Sequence, residues 1–274
     1  MSVIHAGEYE VSFLNMGSIR LDGGAMFGVV PRALWSRYFA PDEANTIGLA
    51  CRGLLLQGAD RTIVVDTGAG TRWTDKERTR YGITNRDVCD AVVEAGVSVD
   101  AVTDVILTHL HFDHAGGAVA ADGEPAFPNA TYTVQERALS WARSPTERDA
   151  GSFRADDYEP LVRAGVLRVV DGACEVLPDI CVRLSEGHTT GLQIPVIGDA
   201  LVYPADLIPT SAHLAPAWVM AYDIRPLQSV AEKRALLLDA VASGWQIVYE
   251  HDPNVTSSRV IERDGRFVME APIA

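Results

Sequence analysis

Residues 108–117 read THLHFDHAGG, and the six positions from His109 to His114 hold three histidines and an aspartate directly behind an apolar run, Val105-Ile106-Leu107. Histidines at i and i+2 do not share a helix face. They converge when they leave the end of a strand in a loop, and Gly116-Gly117 then permits a tight turn into a helix. Imidazole nitrogens and carboxylate oxygens are the donors a borderline divalent cation such as zinc prefers, and His109, His111, Asp113 and His114 exceed what one tetrahedral ion takes from one segment. The alternative is a polar loop whose histidines are satisfied by hydrogen bonds, which buries several titratable groups at high cost without a shared cation. The stretch therefore implies two metal ions and a fold in which distant segments return to one loop.

Two halves of the chain repeat one pattern that ends in such residues. CRGLLLQGADRTIVVDTGAG predicts two strands about a Gly-Ala-Asp turn with Asp66 at the end of the second, and LQIPVIGDALVYPAD repeats this about Gly198-Asp199 and ends at Asp206. A helix is then expected over TNRDVCDAVVEAG, capped by Thr84 with Asp87 three positions on, with Val88, Ala91, Val92 and Ala95 on one face and Gly96 as the stop. The second half answers with SVAEKRALLLDAVASG, where Ser229 and Glu232 match a capping box and Gly244 closes the helix. Each helix precedes a buried strand that runs into a histidine, His109 in one half and His251 in QIVYEHD. Between about 118 and 165, a strand is expected at ATYTV and a helix from near Gln135. Residues 17–48, with two adjacent glycines, a proline and several aromatics, read as a loop and cap over a site rather than as core strands. Trp35, Tyr38 and Phe39 in that cap are expected to be exposed and would suit a homodimer contact.

No linker or short repeat divides the 274 residues, so a single domain over 1–274 is the simpler reading. The net charge of -14 disfavours nucleic acid and anionic membrane as general partners. The N-terminus lacks a basic segment leading into a long apolar core, and no apolar stretch approaches the roughly 20 residues of a bilayer span, so a cytoplasmic location is expected. Cys51, Cys89, Cys174 and Cys181 are scattered and read as small buried hydrophobes rather than disulfides or a zinc ribbon.

HLHFDH resembles the H-x-H-x-D-H signature of the metallo-β-lactamase superfamily, and the later ligands of that family have counterparts in order at His188 in SEGHTTG, Asp206 in YPAD and His251 in YEHDP. The resemblance spans roughly residues 50–255. It implies a four-layer αβ/βα sandwich of the α/β (α+β) class, two mixed β-sheets face to face with helices outside, and the metals at one edge. It also implies that His109, His111 and His188 hold one divalent ion, that Asp113, His114 and His251 hold the other, and that Asp206 bridges them together with a hydroxide. Zinc is the first candidate, with manganese, iron or cobalt accepted by the same donors. Asp66 falls where the superfamily commonly has a structural aspartate and reads as a group orienting a ligand or its loop, with a simple turn former as the alternative.

A bridging hydroxide ionised near neutral pH would attack a carbonyl or phosphoryl centre, with Asp113 passing the proton to the leaving alkoxide. Asp113 and Asp206 are thus the expected catalytic residues. The aspartate bridge, the complete histidine motif and the acidic charge disfavour the cysteine-liganded β-lactamases, the flavodiiron branch and the tRNA-processing nucleases. LDGGAMFGVVPRALW, PADLIPTSAHL and EHDP resemble the group of N-acyl homoserine lactonases and methyl parathion hydrolase-like enzymes. The expected function is a binuclear metal-dependent hydrolase opening a lactone or cleaving a small ester, acyl homoserine lactones first. A phosphotriesterase or arylesterase, and a non-catalytic metal-binding scaffold, are the alternatives. Those lactonases commonly place a tyrosine three residues after the bridging aspartate, where this chain has Pro209; His213 is the candidate substitute. Phe27 and Tyr222 are further candidates for lining a substrate pocket, with plain packing the alternative for each.

Overall fold

A computed structural model describes residues 3–84 and 86–273, with side chains to residue 270. Seven strands, β1 (Ile4–Ala6), β2 (Tyr9–Asp22), β3 (Thr46–Gln57), β4 (Thr62–Val65), β5 (Asp104–Ile106), β6 (Thr131–Gln135) and β7 (Leu167–Val170), form one sheet in sequence order. Seven more form a second sheet: β8 (Cys174–Leu177), β9 (Ile180–Ser185), β10 (Leu192–Ile197), β11 (Leu201–Val202), β12 (Gln246–Val248), β13 (Ser257–Arg263) and β14 (Arg266–Ile273). Both sheets are mixed. In each half a hairpin, β3-β4 or β10-β11, is followed by a strand parallel to its second arm, β5 or β12.

The layers follow from period-two alternation in strands buried on both faces. Leu54, Leu56, Ile63, Val65 and Ile106 meet Val182, Ile197, Leu201 and Val248 in a core between the sheets. Their neighbours Leu55, Val64, Val105 and Leu107 point the other way, into a cluster that includes Val88, Ala91 and Val92 of the helix Val88–Glu94. Across the molecule Val196, Val202 and Ile247 pack on Leu236, Leu237 and Ala240 of the helix Pro226–Ser243. Helix, sheet, sheet and helix stack in that order, the expected sandwich.

The eight α-helices among the described residues are α1 (Gly23–Phe27), α2 (Arg32–Trp35), α3 (Asp75–Tyr81), α4 (Val88–Glu94), α5 (Phe112–Ala115), α6 (Glu136–Arg143), α7 (Glu159–Ala164) and α8 (Pro226–Ser243). Two expected caps are corrected. The α4 helix starts one turn late, capped by Asp87 on the Cys89 amide. Thr84 is used elsewhere: its Oγ1 accepts the Ser18 amide at 2.6 Å, where Gly17 (φ 97°) lets β2 bulge. The α8 helix begins at Pro226, a residue preorganised for the first turn, so Ser229 and Glu232 lie inside it. Glu232 reaches out instead, accepting from Ser185 Oγ at 2.6 Å and from the amides of Glu186 and Gly187 at 3.1 Å each. It thereby holds the loop that leads to His188.

The expected cap over 17–48 is also too long. Residues through Asp22 belong to β2 and those from Thr46 to β3, paired in register from Ser18↔Ala50 to Asp22↔Thr46. The cap proper is residues 23–45, with α1 and α2, and its aromatics are mostly inside. Trp35 and Phe39 are buried, Trp35 stacks on Phe27 at 5.4 Å, and of the three aromatics expected outside only Tyr38 is exposed. All four cysteines are free; Cys51 is buried, but Cys181 is exposed rather than a core residue. Among the described residues no helix is long and apolar enough to cross a membrane.

Candidate metal centre

Strands β4 and β5 run parallel in the first sheet and β9, β11 and β12 share one direction in the second, and the loops after their C-terminal ends carry Asp66, the 109–114 cluster, His188, Asp206 and His251. Two of these loops take backbone conformations that resist L side chains. Asp66 sits at φ 56° and Ala205, just before Asp206, at φ 45°. Gly116 and Gly117 serve close approach rather than a left-handed turn. A Cβ at Gly116 would lie 2.3 Å from the Phe112 and Ala69 carbonyl oxygens, and one at Gly117 would lie 2.3 Å from the Thr67 carbonyl oxygen.

The seven expected ligands meet in two groups, His109, His111, His188 and Asp206 in one and Asp113, His114 and His251 in the other. Asp206 lies between them. Its Oδ2 is 3.0 Å from His188 Nε2 and 3.5 Å from His114 Nε2, while its Oδ1 is 3.1 Å from His251 Nε2. Asp113 is 3.7 Å from His251 Nε2 and 3.9 Å from His114 Nε2. All seven are buried.

Hydrogen bonds behind the rings set the tautomers. Asp66 accepts from the Thr108 amide at 2.7 Å and from the Thr108 hydroxyl at 2.8 Å, so that hydroxyl oxygen is left to accept from His109 Nδ1 at 3.0 Å. Asp66 also takes His114 Nδ1 at 3.0 Å, Asp223 takes His188 Nδ1 at 2.9 Å, and the Ala50 carbonyl takes His251 Nδ1 at 2.7 Å. Four imidazoles therefore donate outward from Nδ1 and aim an Nε2 lone pair inward, and His111 adds Nδ1, 3.1 Å from His188 Nε2. Nitrogen lone pairs facing a carboxylate across about 3 Å repel unless positive charge lies among them. His109 Nε2, His111 Nε2, His114 Nε2 and Asp206 Oδ1 are buried without a hydrogen-bond partner. A pair of divalent cations satisfies the inward-facing atoms among these, His109 Nε2, His114 Nε2 and Asp206 Oδ1, so the donor set fits the metals.

The titration directions express the same demand. Burial, then the neighbouring imidazoles, push His109 and His111 well below the ordinary histidine value. Burial also opposes charge on His188 and His251, yet the carboxylates around them prevail and hold both up at about 9, so that without a cation a proton on each Nε2 would take its place facing Asp206. Asp206 is likewise penalised by burial, but His188, His114 and His251 hold its carboxyl well below the usual range.

Two acidic residues at the centre lie outside the sequence expectations. Asp223 orients His188, and Glu250, fully buried, has Oε2 3.0 Å from His114 Nδ1, where burial raises its carboxyl to about 7. Glu250 adjoins His251 in YEHDP, a weak signal; nothing in the spacing marks Asp223, 35 residues after His188. Asp223→Ala is expected to weaken metal affinity about 10–100-fold, the usual cost of losing such a support, in a competition titration against a chelator. Unchanged affinity would show that His188 needs no anchor.

The centre forms the floor of a cavity of about 230 Å³. Leu21, Met26, Phe112 and Met220 make apolar walls, Tyr81 and Tyr222 add phenols, and Arg148 stands at the rim. Tyr222 thus faces the cavity as expected, whereas Phe27 and His213 do not. His213 accepts from Thr210 Oγ1 at 2.7 Å and donates to the Met26 carbonyl at 2.9 Å, and Phe27 stacks on its ring at 4.7 Å. Neither ring reaches the lining, because each is spent on holding the cap to the wall. Burial, reinforced by Lys233, lowers His213 to about 3. A folded value below the unfolded one means that neutral His213 stabilises the fold above about 6.5, and that this is lost as pH falls from about 6.5 towards 3. Urea unfolding between pH 7 and 4 is expected to show a stability slope steeper by up to about 1.4 kcal/mol per pH unit than in His213→Gln; equal slopes would refute it.

Comparison with known proteins agrees with this geometry. A curated relative, N-acyl homoserine lactonase AttM of Azorhizobium caulinodans, is 30% identical over 182 residues, 62% of this chain and 66% of that protein. The match thus spans just under two thirds of that relative's length. A solved structure described as a probable metal-dependent hydrolase from Staphylococcus aureus superposes with a TM-score of 0.92 at 29% identity over 98% of both chains. The dizinc quorum-quenching lactonase AidC, solved with a product, shares the fold with a TM-score of 0.83 at 21% identity over 100% of this chain and 97% of its own. With the family model of the metallo-beta-lactamase superfamily matching residues 48–202 on top of these seven converging side chains, the chain belongs to that superfamily.

Proposed function

We propose that this chain is a metal-dependent hydrolase that opens a lactone or cleaves a comparable small ester, with acyl homoserine lactones the first candidates. The observation that carries the reading is the set of inward-facing imidazole nitrogens around Asp206 at the floor of a largely apolar cavity. His109, His111 and His188 would hold one divalent ion, Asp113, His114 and His251 the other, and Asp206 would serve both. Bound there, the ions supply a water ionised near neutral pH and a Lewis acid for the developing oxyanion, and zinc suits the N/O donors.

The chain's own groups do the rest. Leu21, Met26, Phe112 and Met220 hold an acyl chain and exclude bulk water from the floor. Asp113 lines the cavity beside His251, so its carboxylate would take the proton from the hydroxyl group that has added to the carbonyl carbon and pass it to the ring oxygen as the C–O bond breaks. Pro209 offers no hydroxyl. Tyr222, one of the two phenols in the lining, would donate its hydroxyl to a substrate oxygen.

Elemental analysis of the purified protein, joined to a panel of lactones and paraoxon-like triesters with a chelator control, tests the reading. Two metal ions per chain and chelator-sensitive lactone opening are expected. A large kcat/KM advantage for triesters would overturn the lactone preference, and bound metal without any ester cleavage would favour a binding scaffold.

A further inference from the structure

Arg148 is the single Lys or Arg lining the cavity, and the turn that carries it is built to stay in place. Asp149, buried beneath that turn, accepts from Trp141 Nε1 at 2.7 Å, from the Thr146 amide at 2.9 Å and from the Thr146 hydroxyl at 2.6 Å. Arg148 itself donates through one terminal nitrogen to the carbonyl oxygens of Ala221 and, at 3.2 Å, of Asp223. These bonds tie it to the segment carrying Tyr222 and leave the other guanidinium donors without a partner among the described residues. No carboxylate pairs with it there, although the chain has 37 Asp and Glu against 23 Lys and Arg. Arg154, a few residues on, does lie beside a carboxylate, that of Asp157. A guanidinium fixed at one end, unneutralised and facing a cavity keeps its Nε and its other terminal nitrogen as charged donors for a carboxylate.

We infer that Arg148 selects substrates bearing a carboxylate on the acyl portion, away from the bond that is cleaved. The inference rests on the hydrolase reading above and narrows its substrate class to lactones or esters with an anionic tail. The apolar walls Leu21, Met26 and Met220 then take the methylenes between the reacting carbonyl and that charge. A simple alkyl tail would leave the free guanidinium donors of the exposed Arg148 to solvent and gain nothing from its charge.

The test compares an N-hexanoyl homoserine lactone with its analogue ending in a carboxylate, an adipic acid monoamide of the same chain length. It uses the metal-loaded protein and the variants Arg148→Met and Arg148→Lys. The quantity read is the ratio of kcat/KM between the two substrates, which cancels any loss common to both when the Ala221 and Asp223 contacts are disturbed. Wild type is expected to prefer the carboxylate roughly tenfold or more, Arg148→Met to bring the ratio to about one, and Arg148→Lys to keep part of it. A ratio near one in wild type, or a wild-type ratio that survives in Arg148→Met, overturns the inference. The uncleavable lactam forms of the same pair, measured by titration calorimetry, read the same ratio as dissociation constants. If neither lactone is hydrolysed but the lactam ratio still collapses in Arg148→Met, the hydrolase reading falls and the recognition site stands; no lactam preference in wild type removes the site.

Discussion

Asp206→Asn is expected to lower kcat/KM on a lactone by about a thousandfold and to leave the purified protein with fewer than two metal ions per chain. Asp206 lies within 3.5 Å of nitrogens from both ligand groups, through Oδ2 to His188 and His114 and through Oδ1 to His251. The asparagine keeps the shape but removes the charge and replaces one acceptor oxygen with an N–H donor, which faces imidazole lone pairs without joining two cations. Stabilisation of the transition-state charge by metals is worth several kcal/mol, and each 1.36 kcal/mol is a factor of ten in rate. Steady-state kinetics joined to metal analysis checks both halves. Wild-type turnover with two bound ions would exclude the bridging position.

Phe27→Ala is expected to destabilise the protein by about 3–5 kcal/mol in urea unfolding, among the largest single-residue effects in the chain. Its ring is fully buried, stacked on Trp35 at 5.4 Å and on His213 at 4.7 Å, with Trp218 edge-on at 5.8 Å. Those three partners come from α2, from the turn after Asp206 and from the segment before Tyr222, so the cavity left behind cannot collapse from one side alone. The neighbouring residue, Met26, lines the cavity over the candidate metal centre, and its carbonyl is the acceptor for His213. A stability loss below about 1 kcal/mol would mean that the cap docks independently of this stack.

The strand patterns were readable because a strand buried on both faces leaves a near-continuous apolar run, and the duplicated hairpin, helix and strand could be matched between halves. Both hairpins and both parallel partners are where the sequence places them. The errors arose where a residue type serves two purposes. A serine and a glutamate three apart match a capping box, but Glu232 spends its carboxylate on the amides before His188. Thr84 likewise closes the bulge at Gly17 instead of starting α4. The glycine-rich stretch after Gly17 looked irregular, yet β2 absorbs one such residue and continues to Asp22. The aromatics beyond it suggested a surface patch, while a shell of equally large neighbours draws all but Tyr38 inside.

The chain alone determined the identity and order of the candidate ligands, since donor chemistry and strand-end position are local properties that survive in one dimension. Which groups stand behind those ligands was settled only by the tertiary structure. Asp223, Glu250 and the Ala50 carbonyl reach their histidines from separate elements, and the last of these lies 201 residues away in sequence. The same holds for the cavity wall, where Arg148 is joined to the backbone beside Tyr222 across more than seventy positions and His213 is turned away from it. A hydrogen bond depends on distance and direction in space, and neither is encoded by the spacing of residues along the polypeptide.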